Sequence, residues 1–214
     1  MQLDSEKRII EAARFAINNT KEEAHIRQQM EVYGFGSTRL KQGETLLNKA
    51  QQSIQEKDRC YQGQWELSQQ IKAQSEAIQT QVRDHISIAR VAYRQDVALL
   101  HLLRIETMAR PGWSLVWQAE YFYNKLREQK LSLATYGVSD AIIQQAARET
   151  GQLLALREKR ARQKAQAENS TQTKRTALRE LRAWVMEFRG AARLAFRSEP
   201  QWLEAFGMTT RAVV

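Results

Sequence analysis

Proline is almost missing from this chain of 214 residues, which holds only Pro111 and Pro200. Proline breaks a helix interior, because its ring clashes with the preceding turn and it has no N–H to donate. The long stretches on either side of Pro111 are therefore open to continuous helix. A single cysteine, Cys60, rules out an internal disulfide and fits a reducing compartment. No eighteen apolar residues run together, so no membrane-spanning helix is expected. The opening residues Met1-Gln2-Leu3-Asp4-Ser5-Glu6 lack the basic start and apolar stretch of a signal peptide. The expected location is the cytoplasm, with no membrane partner. Also lacking are a Walker loop, a Gly-x-Gly-x-x-Gly after a strand and a Gly-x-Ser-x-Gly elbow.

What the chain does contain is 43% apolar and 27% charged residues, with a mean hydropathy of −0.60. That balance suits long amphipathic helices with broad wet faces, and the length allows a sizeable core. The net charge of +9 is unevenly placed. Residues 1–107 carry 15 Lys and Arg against 14 Asp and Glu, whereas residues 108–214 carry 18 against 10. The segment 157–197 holds 12 basic and 4 acidic residues, which equals the whole excess of the second half.

An internal repeat sets the expected architecture. Shifting the chain by 103 residues aligns 33–94 with 136–197 without a gap. The identities are Tyr33/Tyr136, Gly34/Gly137, Gln42/Gln145, Gln69/Gln172, Val82/Val185, Ala89/Ala192, Arg90/Arg193, Ala92/Ala195 and Arg94/Arg197. They gather at two places, a Tyr-Gly-apolar element and an Ala-Arg-x-Ala-aromatic-Arg element. Tyr-Gly has a mechanical meaning: glycine enters the left-handed region at a helix end at little cost. With Gly34 just past the helix, Met30 and Phe35 are the apolar pair of a Schellman ending, and Leu133 and Val138 take the same places around Gly137. Ser37 and Ser139 are then candidate N-caps for the returning helices.

From Leu40 onward, positions at alternating three- and four-residue steps run Leu40, Gly43, Leu47, Ala50, Ile54 and on to Val82, His85, Ala89 and Leu103. A second series runs from Ile143 through Leu153, Arg157, Arg160, Lys164 and Leu181 to Ala195. Such spacing argues for coiled-coil-like packing. Both series are polar in the middle, so the helices either run on, locally wet, or break near Gly63 and near Asn169-Ser170-Thr171. The lack of any insertion between the copies favours continuity. Ala109-Arg110-Pro111-Gly112 marks the join between the copies. The aromatic set Trp113, Trp117, Tyr121, Phe122 and Tyr123 is expected to seat a third helix. Ser198-Glu199-Pro200-Gln201 reads as a capping box opening a last short helix.

The fold class expected is all-α, an elongated antiparallel bundle of two tandem αα-hairpins. Helices are predicted over 4–33, 38–108, 113–136 and 139–197, with a short one over 199–206. The domain reading is one structural unit: a first hairpin repeat at 1–109, a second at 110–197, and a capping helix and tail at 198–214.

The series Ala177-Leu178-x-x-Leu181-x-x-Trp184-Val185-x-x-Phe188, then Ala192-Arg193-x-Ala195-Phe196 and Pro200-Gln201-x-Leu203-Glu204-x-x-Gly207, resembles the C-terminal signature of a set of bacterial all-helical proteins of uncharacterised activity. The paired Tyr-Gly corners resemble that set too. The resemblance implies an all-helical fold over about 30–207 and attaches no activity, cofactor or site residue.

Chemistry is sparse. Glu22-x-x-His25 is half of the spacing used by di-iron bundles, which need a second such pair, and neither His85 nor His101 has a glutamate three residues before it. His85 reads as a satisfied core histidine and Cys60 as a half-buried structural thiol. No catalytic, metal or cofactor residues are assigned, and no cofactor is expected. The one charged feature is the run Arg157, Lys159, Arg160, Arg162, Lys164, Lys174, Arg175, Arg179 and Arg182, a candidate face for a polyanion or an acidic partner. Arg157, Arg160 and Lys164 fall on the packing series, where Glu44, Glu56 or Asp58 are possible counter-charges. A helix of about 30 residues cannot cover one more than twice as long. The uncovered part must pack on its counterpart or on another chain. The leading expectation is therefore a protein–protein interaction or scaffold protein that self-associates through its long helices. A nucleic-acid-associated protein using 157–182 is the alternative.

Overall fold

A computed structural model describes residues 2–208, with side chains from residue 5 onward. The chain is all-helical. In order come α1 (Gln2–Glu22), α2 (Ala24–Val32), α3 (Ser37–Ala92), α4 (Val97–Leu102), α5 (Trp113–Glu128), a 3₁₀ turn (Ala134–Tyr136), α6 (Asp140–Ala195) and a closing 3₁₀ helix (Pro200–Phe206). Helices α3 and α6 are both 56 residues long and unbroken at Gly63 and Ser170. Hydroxyls inside them are satisfied by the preceding turn: Ser53 Oγ donates to Ala50 O and Ser170 Oγ to Ala167 O, both at 2.8 Å. The polar middle is thus compatible with continuous helix.

The chain forms two compact units, Met1–Tyr61 with Gln166–Val214 (unit 1) and Gln62–Ala165 (unit 2). Their borders cut across the repeat. Unit 1 joins the front of the first copy to the back of the second, and unit 2 joins the back of the first to the front of the second. In unit 1, Ala13, Ala16 and Ile17 of α1, Met30 of α2 and Leu40 of α3 pack with Leu181, Val185, Phe188 and Ala192 of α6, closed by Phe206. In unit 2, Val82, Ile86 and Ala89 of α3 pack with Val116, Ala119 and Phe122 of α5 and with Leu133, Val138 and Ile143. Full burial of each large apolar side chain contributes about 1.5–3 kcal/mol.

The 103-residue offset holds well beyond 33–94. Buried positions recur in step at Ala12/Leu115, Ala13/Val116, Ala16/Ala119, Thr20/Tyr123, Met30/Leu133, Ala50/Leu153, Ile78/Leu181, His85/Phe188, Leu103/Phe206 and Ile105/Met208. Helix α1 therefore answers to α5, and α4 to the closing 3₁₀ helix. Both corners close alike. Phe35 N donates to Met30 O at 2.8 Å and Gly34 N to Glu31 O at 3.0 Å, and Val138 N donates to Leu133 O at 3.3 Å and Gly137 N to Ala134 O at 3.0 Å. Gly34 and Gly137 have φ of 85° and 83°. Ser139 caps α6 through Ile142 N, whereas α3, which starts at the same repeat position, has Gly36 in that place and Ser37 as its first residue.

Several predicted spans are corrected. The helix expected over 4–33 breaks at Glu23, whose ψ of 114° is extended; Asn19 just before it donates its side-chain amide to Ala205 O instead of facing solvent. The helix expected to 108 stops at Ala92, and Asp96 starts α4 as its N-cap, its carboxylate accepting from Leu99 N at 2.8 Å. The helix expected to 136 stops at Glu128, because Lys130 turns left-handed (φ 52°) and Leu131 N returns to Leu126 O at 2.9 Å. Arg104 (φ 53°) ends α4 in the same way. The last helix is 3₁₀, and its N-cap is Glu199 with no side-chain cap bond, so the capping box does not form.

Gly43 shows how tightly unit 1 is packed. The Trp184 indole lies over it, its Nε1 donating to Arg39 O at 3.1 Å, and a Cβ at Gly43 would fall inside the indole ring. Gly151, also helical, has nothing within 4 Å of an added Cβ. Alanine should therefore act oppositely at the two sites. Gly151→Ala should stabilise by up to about 1 kcal/mol, whereas Gly43→Ala should lose about 1–3 kcal/mol from overpacking. Urea unfolding measures both, and equal stabilisation by the two substitutions would contradict the packing described.

Candidate functional site

The nine basic residues of the predicted face are divided between the two units. Arg157, Lys159, Arg160, Arg162 and Lys164 belong to unit 2, and Lys174, Arg175, Arg179 and Arg182 to unit 1. In unit 2, α5 presents Trp113 and Trp117 one turn apart, and the Arg157 guanidinium lies 4.7 and 4.6 Å from their ring centroids. Arginine stacks well on aromatic faces because its plane is weakly hydrated. Arg160 Nε donates to Ser68 Oγ at 3.0 Å, while Lys159 and Arg162 are exposed. In unit 1, Lys174 pairs with Glu6 at 2.7 Å, the best-sheltered ion pair among those described. Arg175 and Arg179 are exposed, and Arg182 lines a cleft with Arg8 and Arg189.

The counter-charges suggested by sequence lie elsewhere. Glu44 pairs with Lys21, Asp58 with Lys57 and Glu56 with Arg59. The carboxylates that α6 meets across α3 are its own, Glu180 with Lys49 at 2.7 Å and Glu187 with Arg39.

The shared residues cluster at the end of each unit. The corner of one copy and the Ala-Arg-x-Ala-aromatic-Arg element of the other share one core, so the identities mark a contact that occurs twice. Yet Tyr33, Tyr136, Arg94, Arg193 and Arg197 are exposed. In unit 2, Val91, Tyr93, Arg94, Asp96 and Tyr136 line an open cleft. Tyr93 donates its hydroxyl to Ser132 O at 2.9 Å. Its ionisation is pushed upward by burial and by Asp140 and Tyr136. Arg90 is more enclosed: its Nε donates to Ile105 O, which fastens the end of α4.

The histidines separate by surroundings. Glu22 ends α1 and His25 lies on α2, so the Glu-x-x-His spacing does not fall on one helix face. His25 Nε2 is 3.2 Å from Glu199 Oε2, with its ring against Trp202. His101 is exposed beside Glu106. Cys60 is half-buried, its Sγ 3.6 Å from Glu56 Oε1. No group of three or more His, Cys, Asp or Glu side chains among the described residues is placed to hold a metal ion.

His85 is buried and its Nδ1 lies 2.9 Å from the Tyr123 hydroxyl. Burial pushes the imidazole below its ordinary value, against a weaker upward pull from Asp84. Burial, reinforced by Glu149, holds the Tyr123 hydroxyl protonated well above the usual tyrosine range. The pair therefore sits neutral, with the phenol available to donate to the ring nitrogen. Unfolded, the histidine takes up a proton near pH 6.5, so below that pH the unfolded chain binds more protons than the folded one. Stability from neutral His85 is thus present above about pH 6.5 and is lost as the pH falls below it. His85→Phe with Tyr123→Phe removes both partners and mimics Phe188. Denaturant unfolding at about pH 7.5 and 5.5 should show a smaller loss in the double variant, and an unchanged loss would remove His85 from this role.

Among the described residues no helix is long and apolar enough to cross a membrane. Comparison with family models, with curated proteins and with solved structures finds no match to the chain.

Proposed function

We propose that the protein is a non-enzymatic interaction or scaffold protein that self-associates through surfaces of its long helices. The observation that carries this reading is a pair of like surfaces, one in each unit. Val91 on α3 and Leu194 on α6 occupy the same repeat position, directly after the shared Arg90 and Arg193. They are left 56% and 61% exposed. Neither side chain belongs to a core, and in unit 2 Val91 shares an open cleft with the exposed Tyr136 and Arg94. Apolar surface rimmed by polar groups is what association covers. Helices α3 and α6 match in length and share a core in each unit, so unequal helix lengths do not call for another chain. Two like surfaces per chain also allow more than a pair of copies to join. Cytoplasmic location fits the single cysteine and is part of the same proposal.

Light scattering on the eluting protein tests it. Self-association that persists at high salt and is lost in Val91→Ser/Leu194→Ser supports the reading. A monomer at every concentration would sink it.

A second reading has one observation in its favour. Trp65 is 63% exposed in unit 2, one turn before the Ser68 that Arg160 bonds. The stacking group that α6 itself lacks is thus carried by α3, and exposed aromatics beside basic residues suit single-stranded nucleic acid. Under this reading, Trp65→Ala and charge reversal at Lys159 and Arg162 should each weaken binding of a labelled oligonucleotide. Only the charge reversals should flatten its salt dependence. Unchanged binding in these variants would remove it.

A further inference from the structure

The repeat allows one place to be compared in two versions. In unit 2 the irregular segment after α4 lies along α5 and is held by two glutamines. Gln118 donates from Nε2 to Arg104 O at 2.7 Å and to Thr107 O at 2.8 Å, and its Oε1 accepts from Ala109 N at 2.8 Å. Gln79 Oε1 accepts from Gly112 N at 2.7 Å. Ile86, about two turns further along α3, is buried in the core. The place is filled by chain that is held through two neutral side chains.

In unit 1 the same place is an open cleft of about 370 Å³. Phe15 stands where Gln118 does, Arg182 where Gln79 does, Arg189 where Ile86 does and Arg8 where Pro111 does. Arg182 and Arg189 lie two turns apart on one face of α6, and α1 brings Arg8 to the opposite wall. Among the described residues of the lining, Glu11 is the only carboxylate. Phe15 is 49% exposed and sits beside the left-handed Gly207. The guanidinium groups of Arg182 and Arg189, with Arg8 in the same lining and an uncovered aromatic ring beside them, make a surface for an anionic group joined to an apolar one. Planar guanidinium forks suit carboxylates because they can donate two parallel hydrogen bonds.

We propose that this cleft binds an acidic peptide segment of a partner protein. The segment would lie where unit 2 holds its own irregular segment, with an Asp or Glu at the arginines and an apolar side chain on Phe15. Recognition of acidic motifs by arginine clusters is a recurring mode of peptide binding. The proposal rests on the interaction reading above and gives it a partner chemistry.

A random octapeptide library panned on the full chain tests it, followed by fluorescence anisotropy on the enriched peptide. Sequences pairing Asp or Glu with an apolar residue should be enriched. Affinity should fall about tenfold or more in Arg182→Gln/Arg189→Ile, which carries the unit 2 residues, from loss of charge-assisted bonds. Arg175→Gln/Arg179→Gln should leave it unchanged. Enrichment of basic or no particular sequences would overturn the proposal, as would equal affinity in the cleft variant. So would competition by inorganic phosphate or an oligonucleotide as strong as by the peptide. Enrichment seen only after residues 209–214 are deleted would also overturn it, because the chain would then be its own occupant. Light scattering keeps the two ideas apart. A self-associating protein without peptide binding loses only the cleft, and a monomer that binds the peptide loses only self-association.

Discussion

Each end of a long helix can bury its apolar face only against the opposite end of the other long helix, and the rest of the structure follows from that constraint. The start of α3 carries Leu40 and the notch at Gly43, and these are covered by Trp184, Val185 and Phe188 near the end of α6. The end of α3 carries Val82, Ile86 and Ala89, which share a core with Ile143 and Ala146 at the start of α6. Neither copy of the repeat completes a core from its own residues. The ion pairs of Lys49 with Glu180 and of Lys174 with Glu6 cross between the copies in the same sense. The first of these is largely exposed and adds little stability, and apolar burial decides the pairing.

The two units then diverge on a common frame. Position 85/188 is a histidine bonded to Tyr123 in one unit and a phenylalanine stacked on Trp184 in the other. Position 104/207 is a left-handed arginine in one and a left-handed glycine in the other. The place beside it is filled by the chain's own segment in unit 2 and stands open, lined by arginines, in unit 1. Differences of this kind, where the backbone path is shared, mark the surfaces on which two copies of one fold can take separate roles. The exposed Val91 and Leu194 are the complementary case, a surface both copies keep.

Much of this was legible in the sequence. Scarce proline and the apolar steps from Leu40 and Ile143 foretell two long helices, and the Tyr-Gly pairs foretell the corners. The ends that were misplaced share a cause. Arg104 and Lys130 take the left-handed conformation that sequence reading assigns to glycine, so α4 and α5 end without a visible signal. Asp96 is an N-cap hidden within an apolar series, and Glu23 interrupts a run with neither proline nor glycine. The surroundings of the candidate face were hidden for a different reason. A linear charge run carries no information on which arginines are spent, and Arg157 is taken up by tryptophans forty or more residues away in the chain. The cleft was invisible because Arg8 lies at the other end of the sequence from Arg182 and Arg189, and they meet only when the front of one copy joins the back of the other.

That joining is most directly tested by zero-length carbodiimide cross-linking of the monomer-sized species, with an equal mixture of isotopically light and heavy protein to exclude links between molecules. Links of Lys49 to Glu180 and of Lys174 to Glu6, each within one chain, are the predicted result. Long-range links confined within 1–109 and within 110–208 would mean that each hairpin folds on itself, and would contradict the account.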